Sequence, residues 1–233
     1  MIPLRDDQPC RNTPIINYFL IILNVLVFIL EWTAAQPSGA QQLLVYQFGI
    51  VPVRTLHLLA GTPVFDPVAA VLPIFTSMFL HASPLHLLGN LLFLYIFGDN
   101  VEDALGPFRY LIFYLSCGFA AGVTHILLNP GSQLPSIGAS GAIAGVMGAY
   151  FWLYPRARVL MWFPPIFFFH LPAWLVLGYW FLVQLLSGAA ALSPYLGQAG
   201  GIAFWAHVGG FVAGAVLIKL FPSSPQRYGY TRH

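Results

Sequence analysis

Residues 135–150 read PSIGASGAIAGVMGAY, a stretch in which small apolar side chains surround Ser140. The Pro, Gly and Ser residues just before this stretch indicate a loop, and the apolar residues within it are typical of a closely packed membrane helix. Serine in such a helix is most often a small residue at a helix contact. The stretch therefore predicts a membrane helix and leaves open whether Ser140 has a chemical role.

The composition of the whole chain indicates a membrane protein. Of its 233 residues, 58% are hydrophobic and 7% are charged, and the mean hydropathy is +0.77. Soluble domains carry about 25% charged residues, so a soluble fold could not cover its surface with so few. The net charge of +2 gives no indication of nucleic-acid binding. Cys10 and Cys117 lie in different environments, one before the first apolar run and one inside another, so we expect no disulfide between them.

Six apolar runs have about the length that a membrane span needs. We predict an all-α bundle of six transmembrane helices over residues 14–34, 84–104, 107–128, 137–154, 171–191 and 200–221. Residues 1–13 and 222–233 are polar tails. The connection over 35–83 is interrupted by prolines, so we expect it to lie partly at the membrane interface rather than to span.

The basic residues indicate the orientation of the bundle. With the N-terminus in the cytoplasm, eight of the nine Lys and Arg residues fall on the cytoplasmic side, and only Arg54 lies outside. Both termini are therefore predicted to be cytoplasmic. The second, fourth and sixth spans then all run from the outside to the inside.

The start of the second span places two polar side chains on one helix face. Ser83 is a favourable N-cap and Pro84 suits the first helical position. His86 then falls in the first turn, and Asn90 lies one turn deeper on the same face. Asn90 by itself could serve only to form a structural hydrogen bond between two helices.

Two further polar residues are expected at a similar depth. Ser140 lies near the start of the fourth span. His207 is expected about 10 Å below the outer end of the sixth span, counted at 1.5 Å per residue. An imidazole inside a membrane is costly, which makes function its default interpretation. Both spans carry a G-x-x-x-G face that lets helix backbones approach closely, formed by Gly141 and Gly145 on one and by Gly210 and Gly214 on the other.

These residues together resemble the rhomboid family of intramembrane serine proteases. The resemblance extends from about residue 14 to 221 and fits the six-span bacterial-type form. It is carried by motifs on three spans and by the turn between the second and third. These are Gly138-Ala139-Ser140-Gly141; His81, His86 and Asn90; His207, Gly210 and Gly214; and Glu102, Gly106 and Arg109. The segment FGIVP at residues 48–52 is also similar to family members.

The resemblance implies acyl transfer with Ser140 as nucleophile and His207 as general base. It implies that His86, Asn90 and the backbone N–H of Ser140 stabilise the oxyanion. No Asp or Glu lies near that depth, so a dyad is expected rather than a triad. The glycines of the motifs, Gly138 included, would serve close helix packing, and Glu102, Gly106 and Arg109 a structural turn. The expected substrates are transmembrane proteins in the lipid bilayer, most simply of a cell inner membrane, with no cofactor, metal or nucleic acid.

Other classes of membrane protein fit the sequence less well. A zinc protease would need H-E-x-x-H, and neither His81 nor His86 is followed by Glu in that pattern. An aspartyl protease would need two mid-span aspartates, whereas Asp99 and Asp103 lie near one inner edge. A channel or transporter remains open, although there is no charged ring and no repeat. A catalytically silent relative that binds membrane helices would be expected to lack the serine or the histidine. Substrate access is expected to need movement of the fifth span or of the loop near 192–200.

Overall fold

The fold was analysed in a computed structural model that describes residues 1–34, 40–60, 67–191 and 203–221. The predicted tail at 222–233 and the predicted gating loop at 192–200 lie outside these residues. Within them, the chain forms six long or central helices, several short helices and three strands. They are β1 (Ile2–Asp6), α1 (Ile15–Ala34), α2 (Ala40–Phe48), α3 (Pro52–Leu59), α4 (Pro67–Val71), α5 (Pro73–Thr76), a 3-10 turn (Ser77–Phe79), α6 (Pro84–Leu105), α7 (Pro107–Leu128), α8 (Ser140–Leu153), β2 (Arg158–Phe163), β3 (Phe167–Pro172), α9 (Ala173–Ala191) and α10 (Phe204–Leu217).

The predicted helical membrane fold is confirmed, and each predicted span contains a helix. Three helices, α1, α7 and α9, are individually long and apolar enough to cross a membrane. A fourth span results if the segment Pro73–Phe79 and α6, which meet at a bend of 94°, are taken together. The apolar helices α8 and α10 are shorter. Helix length and composition therefore support three or four spans among the described residues and do not confirm the count of six.

Helix α8 lies at the centre of the bundle, surrounded by α6, α7 and α10. Ten consecutive residues, Gly141 to Tyr150, are buried. A helix that is apolar on every side belongs inside a protein rather than at its surface. This explains why the stretch of small residues around Ser140 has no polar face.

The first residues of α6 follow the sequence prediction. Ser83 is the N-cap, and its hydroxyl oxygen accepts a hydrogen bond from the backbone N–H of His86 at 3.2 Å. Pro84 occupies the first helical position, where its missing N–H costs nothing. The cap fixes where the helix begins, and thereby the positions of His86 and Asn90 along it.

The turn between α6 and α7 holds the start of α1. The carboxylate of Glu102 is almost fully buried and accepts hydrogen bonds from the backbone N–H groups of Ile16 (3.0 Å) and Asn17 (2.7 Å). These are free donors of a helix N-terminus, which favours negative charge. Gly106 joins the two helices with φ +79°, a conformation that favours glycine. Arg109 lies exposed in the first turn of α7.

The three strands are a feature that the sequence analysis did not predict. They form one antiparallel sheet in the order β1-β2-β3, with Ile2 opposite Trp162 and Phe163 opposite Phe167. The segment predicted as a polar tail thus contains a strand, and the connection between α8 and α9 is a hairpin. The reason is non-local, because the partner of β1 comes after α1, α6, α7 and α8 in the chain.

The carboxyl group of Asp6, at the end of β1, is partly buried and accepts a hydrogen bond from the hydroxyl of Tyr150. Burial raises the pKa of Asp6 from 3.8 to about 7, and the negative charges of Asp99 and Asp7 act in the same direction. The folded protein therefore binds this proton at a pH where the unfolded chain has lost it.

The stability of the fold is expected to fall as the pH rises from 3.8 towards about 7 and to level off above. Asp6→Asn removes this titration. The melting temperature of the variant minus that of the wild type should therefore increase as the pH rises from about 4 to about 8. Thermal melting of both proteins in one detergent measures the difference. A difference that stays constant over this range would contradict the burial of an Asp6 carboxylate.

Candidate active site

Ser140 and His207 meet at the N-terminal ends of α8 and α10. The Oγ of Ser140 lies 2.7 Å from Nε2 of His207, within hydrogen-bonding distance. Ser140 is the first residue of α8, and His207 lies in the first turn of α10. The sequence analysis placed His207 deeper because it began the helix at residue 200. The observed helix begins at Phe204 because Ala203 has a non-helical conformation.

Contact between glycines of α8 and α10 makes this approach possible. A Cβ added to Gly210 or to Gly214 would collide with the backbone of Gly141 or of Gly145, respectively. On its other side, Gly141 is tight against Ala121 of α7, where an added Cβ would lie 2.7 Å from the Ala121 Cβ. These four glycines thus lie at the contact between α8 and α10. Gly148 extends the contact against the backbone of Phe211, which the sequence analysis did not single out.

Gly138 has a different role from the helix packing predicted for it. It lies in the loop before α8 with φ +128°, where its backbone N–H donates to the carbonyl oxygen of Ser77 at 2.8 Å. A Cβ at Gly138 would lie 2.8 Å from Cε1 of His86 and 3.6 Å from Oγ of Ser140. Gly138 therefore ends the loop, starts α8 at Ser140 and leaves room for the ring of His86.

Gly138→Ala is expected to lower the apparent melting temperature. The added methyl group meets a backbone conformation that L-residues rarely adopt and displaces the His86 ring. Gly131→Ala, in the same loop, is the matched control because an added Cβ there meets nothing within 4 Å. Thermal melting of both variants measures the effect, and equal melting temperatures would contradict it.

Asn90 is buried, and its Nδ2 has no hydrogen-bond partner among the described residues. Buried polar groups are normally satisfied, so such an exception calls for an explanation. The amide is a free donor on the helix that also carries His86. The backbone N–H groups of the first turn of α8 likewise lack intrahelical acceptors. These are the kinds of donor that can stabilise an oxyanion.

His81, the first residue of the second-span motif, lies in the loop before α6 and is fully buried. Its backbone N–H donates to Oε2 of Glu31 in α1 at 3.1 Å, and its ring lies edge-on to that of His86 with centroids 5.2 Å apart. These contacts connect α1 to the start of α6 and support the side of the His86 ring.

Two residues of α9 contact His207, and the sequence analysis missed both. Oε1 of Gln184 lies 2.8 Å from Nδ1 of His207, and the ring of Trp180 lies 5.7 Å from the imidazole centroid. Gln184 was the only amide within the predicted fifth span, and that was the available signal. Trp180 carried no signal, because aromatic residues are common in membrane helices.

Ser140 lines one cavity, and Trp180, which contacts His207, lines another. The first has a volume of about 30 Å³ and is also lined by Gly138, His125 and other residues. It is large enough to hold a water molecule. The second, of about 430 Å³, is apolar and is lined by Phe93 of α6, by residues of α9 and by residues of all three strands. In the described part of the chain, no group of three or more His, Cys, Asp or Glu side chains could hold a metal ion.

Comparison with known proteins identifies the family. Residues 69–224 match the family model described as "Rhomboid domain", which is more than half of the chain. The chain belongs to the rhomboid family. This family consists of intramembrane serine proteases together with some inactive members, so catalysis by this rhomboid protein has to be argued from its own residues.

Several curated rhomboid proteins are similar to this chain. "Rhomboid protein 1, mitochondrial" of Saccharomyces cerevisiae is 30% identical over 157 residues, covering 65% of this chain and 42% of the yeast protein. "RHOMBOID-like protein 1" of Arabidopsis thaliana is 31% identical, covering 67% and 36%. "Presenilin-associated rhomboid-like protein, mitochondrial" of Homo sapiens is 32% identical over 108 residues, covering 45% and 28%. The matches thus span less than half the length of these three relatives.

Proposed function

We propose that this rhomboid protein is an intramembrane serine endopeptidase that uses Ser140 and His207. The observation that carries the proposal is the 2.7 Å contact between Ser140 Oγ and His207 Nε2. An inactive family member would have no need for a hydroxyl and an imidazole held in this relation inside a membrane, where a histidine is costly.

The reaction begins with proton transfer from Ser140 Oγ to His207 Nε2 as the oxygen attacks the carbonyl carbon of the scissile peptide bond. The negative charge that develops on the carbonyl oxygen is stabilised by donors from Asn90, from His86 and from the backbone at Ser140. The tetrahedral intermediate collapses, the C–N bond breaks, and His207 gives the proton to the leaving amine. Water then attacks the acyl-enzyme with His207 again as base, releasing the carboxylate and restoring Ser140.

The substrates are proposed to be transmembrane segments of other proteins. The apolar cavity between α6 and α9 has a volume typical of binding sites and is bordered by Trp180, which contacts the His207 ring. A segment bound there would have to pass Trp180 to reach the pair, since neither Ser140 nor His207 lines the cavity. Because helical hydrogen bonds protect a backbone from attack, cleavage is expected near the outer end of a segment that contains small and helix-weakening residues.

The membrane and orientation are part of the same proposal. The distribution of Lys and Arg supports cytoplasmic termini, with the pair in the outer half of the bilayer. The membrane is proposed to be a cell inner membrane. Similar proteins from yeast and Arabidopsis are named mitochondrial or chloroplastic, and those words describe the relatives.

The experiment that tests the function is labelling of the purified protein with a fluorophosphonate probe. An activated serine is expected to react, and peptide mapping by mass spectrometry should find the label on Ser140. The same preparation, reconstituted in liposomes with a transmembrane substrate, should release two fragments. If folded protein neither takes up the label nor cleaves in liposomes, the endopeptidase proposal is wrong and a helix-binding role replaces it.

A further inference from the structure

Gln184 is a polar residue on an apolar helix. It is 9% exposed, and α9 is one of the three helices that are individually long and apolar enough to span a membrane. Burying an amide in such surroundings costs free energy unless its groups find partners. The partner of its carbonyl oxygen is Nδ1 of His207, 2.8 Å away. The carbonyl oxygen of Gln184 thus has its partner in the general base of the proposed reaction.

This contact bears on which nitrogen of His207 carries the proton. With the Gln184 amide oriented so that Oε1 faces the ring, Nδ1 donates its N–H to Oε1, because an amide oxygen only accepts hydrogen bonds. In a neutral imidazole the other nitrogen then has a free lone pair. Nε2 is therefore the acceptor that faces the hydroxyl of Ser140 at 2.7 Å. In the opposite tautomer Nε2 would carry a hydrogen and could not take the proton of Ser140.

The surroundings of the ring favour a neutral partner over a carboxylate. On the α9 side, the ring faces the apolar Trp180 at 5.7 Å between centroids, and Phe211 packs against Trp180 and Phe181. A carboxylate here would be a buried charge, with a desolvation penalty that its attraction to the ring need not repay. An amide holds the proton in place without adding that charge.

We propose that Gln184 is a positioning residue that holds His207 in the tautomer with the proton on Nδ1, and so leaves Nε2 free to accept the proton of Ser140. This inference rests on the proposed endopeptidase function. It places Ser140, His207 and Gln184 in one hydrogen-bonded series, in which Ser140 and His207 carry out the chemistry. Gln184 acts only through His207 and does not touch the substrate.

The test compares two substitutions of nearly equal length. Gln184→Met keeps the size of the side chain but removes the strong acceptor, whereas Gln184→Glu keeps an oxygen acceptor. Leu182→Met, on the exposed part of the same helix, is the control for a methionine in α9. The proteins are studied at full length in detergent, with a transmembrane substrate for kcat and KM and with ¹⁵N-labelled histidine for NMR. The His207 signals are assigned by their loss in His207→Ala.

We expect the wild type to show a protonated Nδ1 and an unprotonated Nε2. Gln184→Met should lose this pattern and lower kcat by about 10- to 100-fold with little change in KM, the usual effect of leaving a buried donor without its acceptor. Gln184→Glu should keep the proton on Nδ1 and lower kcat less than Gln184→Met does, because it retains an acceptor but adds a buried charge. Leu182→Met should resemble the wild type. A merely structural role of Gln184 would leave the tautomer unchanged.

The outcomes separate this inference from the proposed function. If the wild type carries the proton on Nε2 of His207, the inference is overturned. This result needs no variant, so it decides the question even if Gln184→Met does not fold. If Gln184→Met keeps wild-type kcat, the inference is overturned as well. If the tautomer depends on Gln184 but the wild type neither cleaves nor takes up a fluorophosphonate, the positioning stands and the endopeptidase function fails.

Discussion

Ser140→Ala and His207→Ala are each expected to lower kcat/KM for a transmembrane substrate by on the order of 10⁴-fold or more. Alanine at residue 140 removes the nucleophile, and alanine at residue 207 removes the base that lies 2.7 Å from it. Neither change adds volume, so the helices should stay in place. Fragment release from substrate in liposomes, and fluorophosphonate labelling in detergent, measure the loss.

The double variant tests whether the two side chains act as a unit. Because each depends on the other, the double variant should be no less active than either single one. Ser132→Ala, in the loop before α8, and His170→Ala, exposed on β3, are matched controls and should retain activity. Losses that add up in the double variant would show that the two residues do not cooperate in one step.

Gly214→Val is expected to abolish cleavage and to lower the apparent melting temperature by several degrees. An added Cβ at Gly214 would lie 2.6 Å from the Cα of Gly145, and still closer to the Gly145 carbonyl oxygen. Backbone atoms cannot turn aside as a flexible side chain can, so the clash has to push α10 away from α8. Overpacking typically costs about 1–3 kcal/mol, and a small displacement of reacting groups can cost about 100-fold in rate.

Cleavage assays and thermal melting on the same preparation separate the two effects of Gly214→Val. Gly89→Ala in α6 is the control, because an added Cβ there meets nothing within 4 Å and alanine favours a helix over glycine. It should melt no lower than the wild type and remain active. A Gly214→Val protein with wild-type melting and activity would mean that α8 and α10 are further apart than described.

Much of the helical framework could be predicted from local sequence. The helices α6 and α7 begin at Pro84 and Pro107 as expected, because a proline at the first helical position is a local signal. α8 is shorter than the predicted 137–154, since Gly138 has a positive φ that a helix cannot include. The apolar pattern predicted where this helix lies, and the difference at its start follows from the φ angle of Gly138.

The contact between Ser140 and His207 was predicted from the order and depth of the motifs, but the contact between His207 and Gln184 was not. Gln184 looks like any amide within an apolar span until the rotation of α9 about its axis is known. That rotation is set by packing against α10, where Trp180 and Phe181 meet Phe211. Such packing depends on residues from separate parts of the chain, which a local pattern does not contain.

The sheet had a local signal that was not used. RVLMWF and FFFHLP are apolar runs of six residues separated by Pro-Pro-Ile, a pattern that favours two strands and a turn. β1 had no comparable signal, because its residues 2–6 contain a proline and two charged side chains. Its place was decided by a partner more than 150 positions away along the chain.

This distance has a consequence for biosynthesis. Ile2 pairs with Trp162, 160 positions later, and ribosomes add about 5–20 residues per second. The first strand must therefore wait about 8–32 seconds for its partner to be made. During that time the intervening helices are synthesised while the strand has no partner. The β1–β2 pairing can form only after the chain has been made as far as residue 162, which makes it a late event of synthesis.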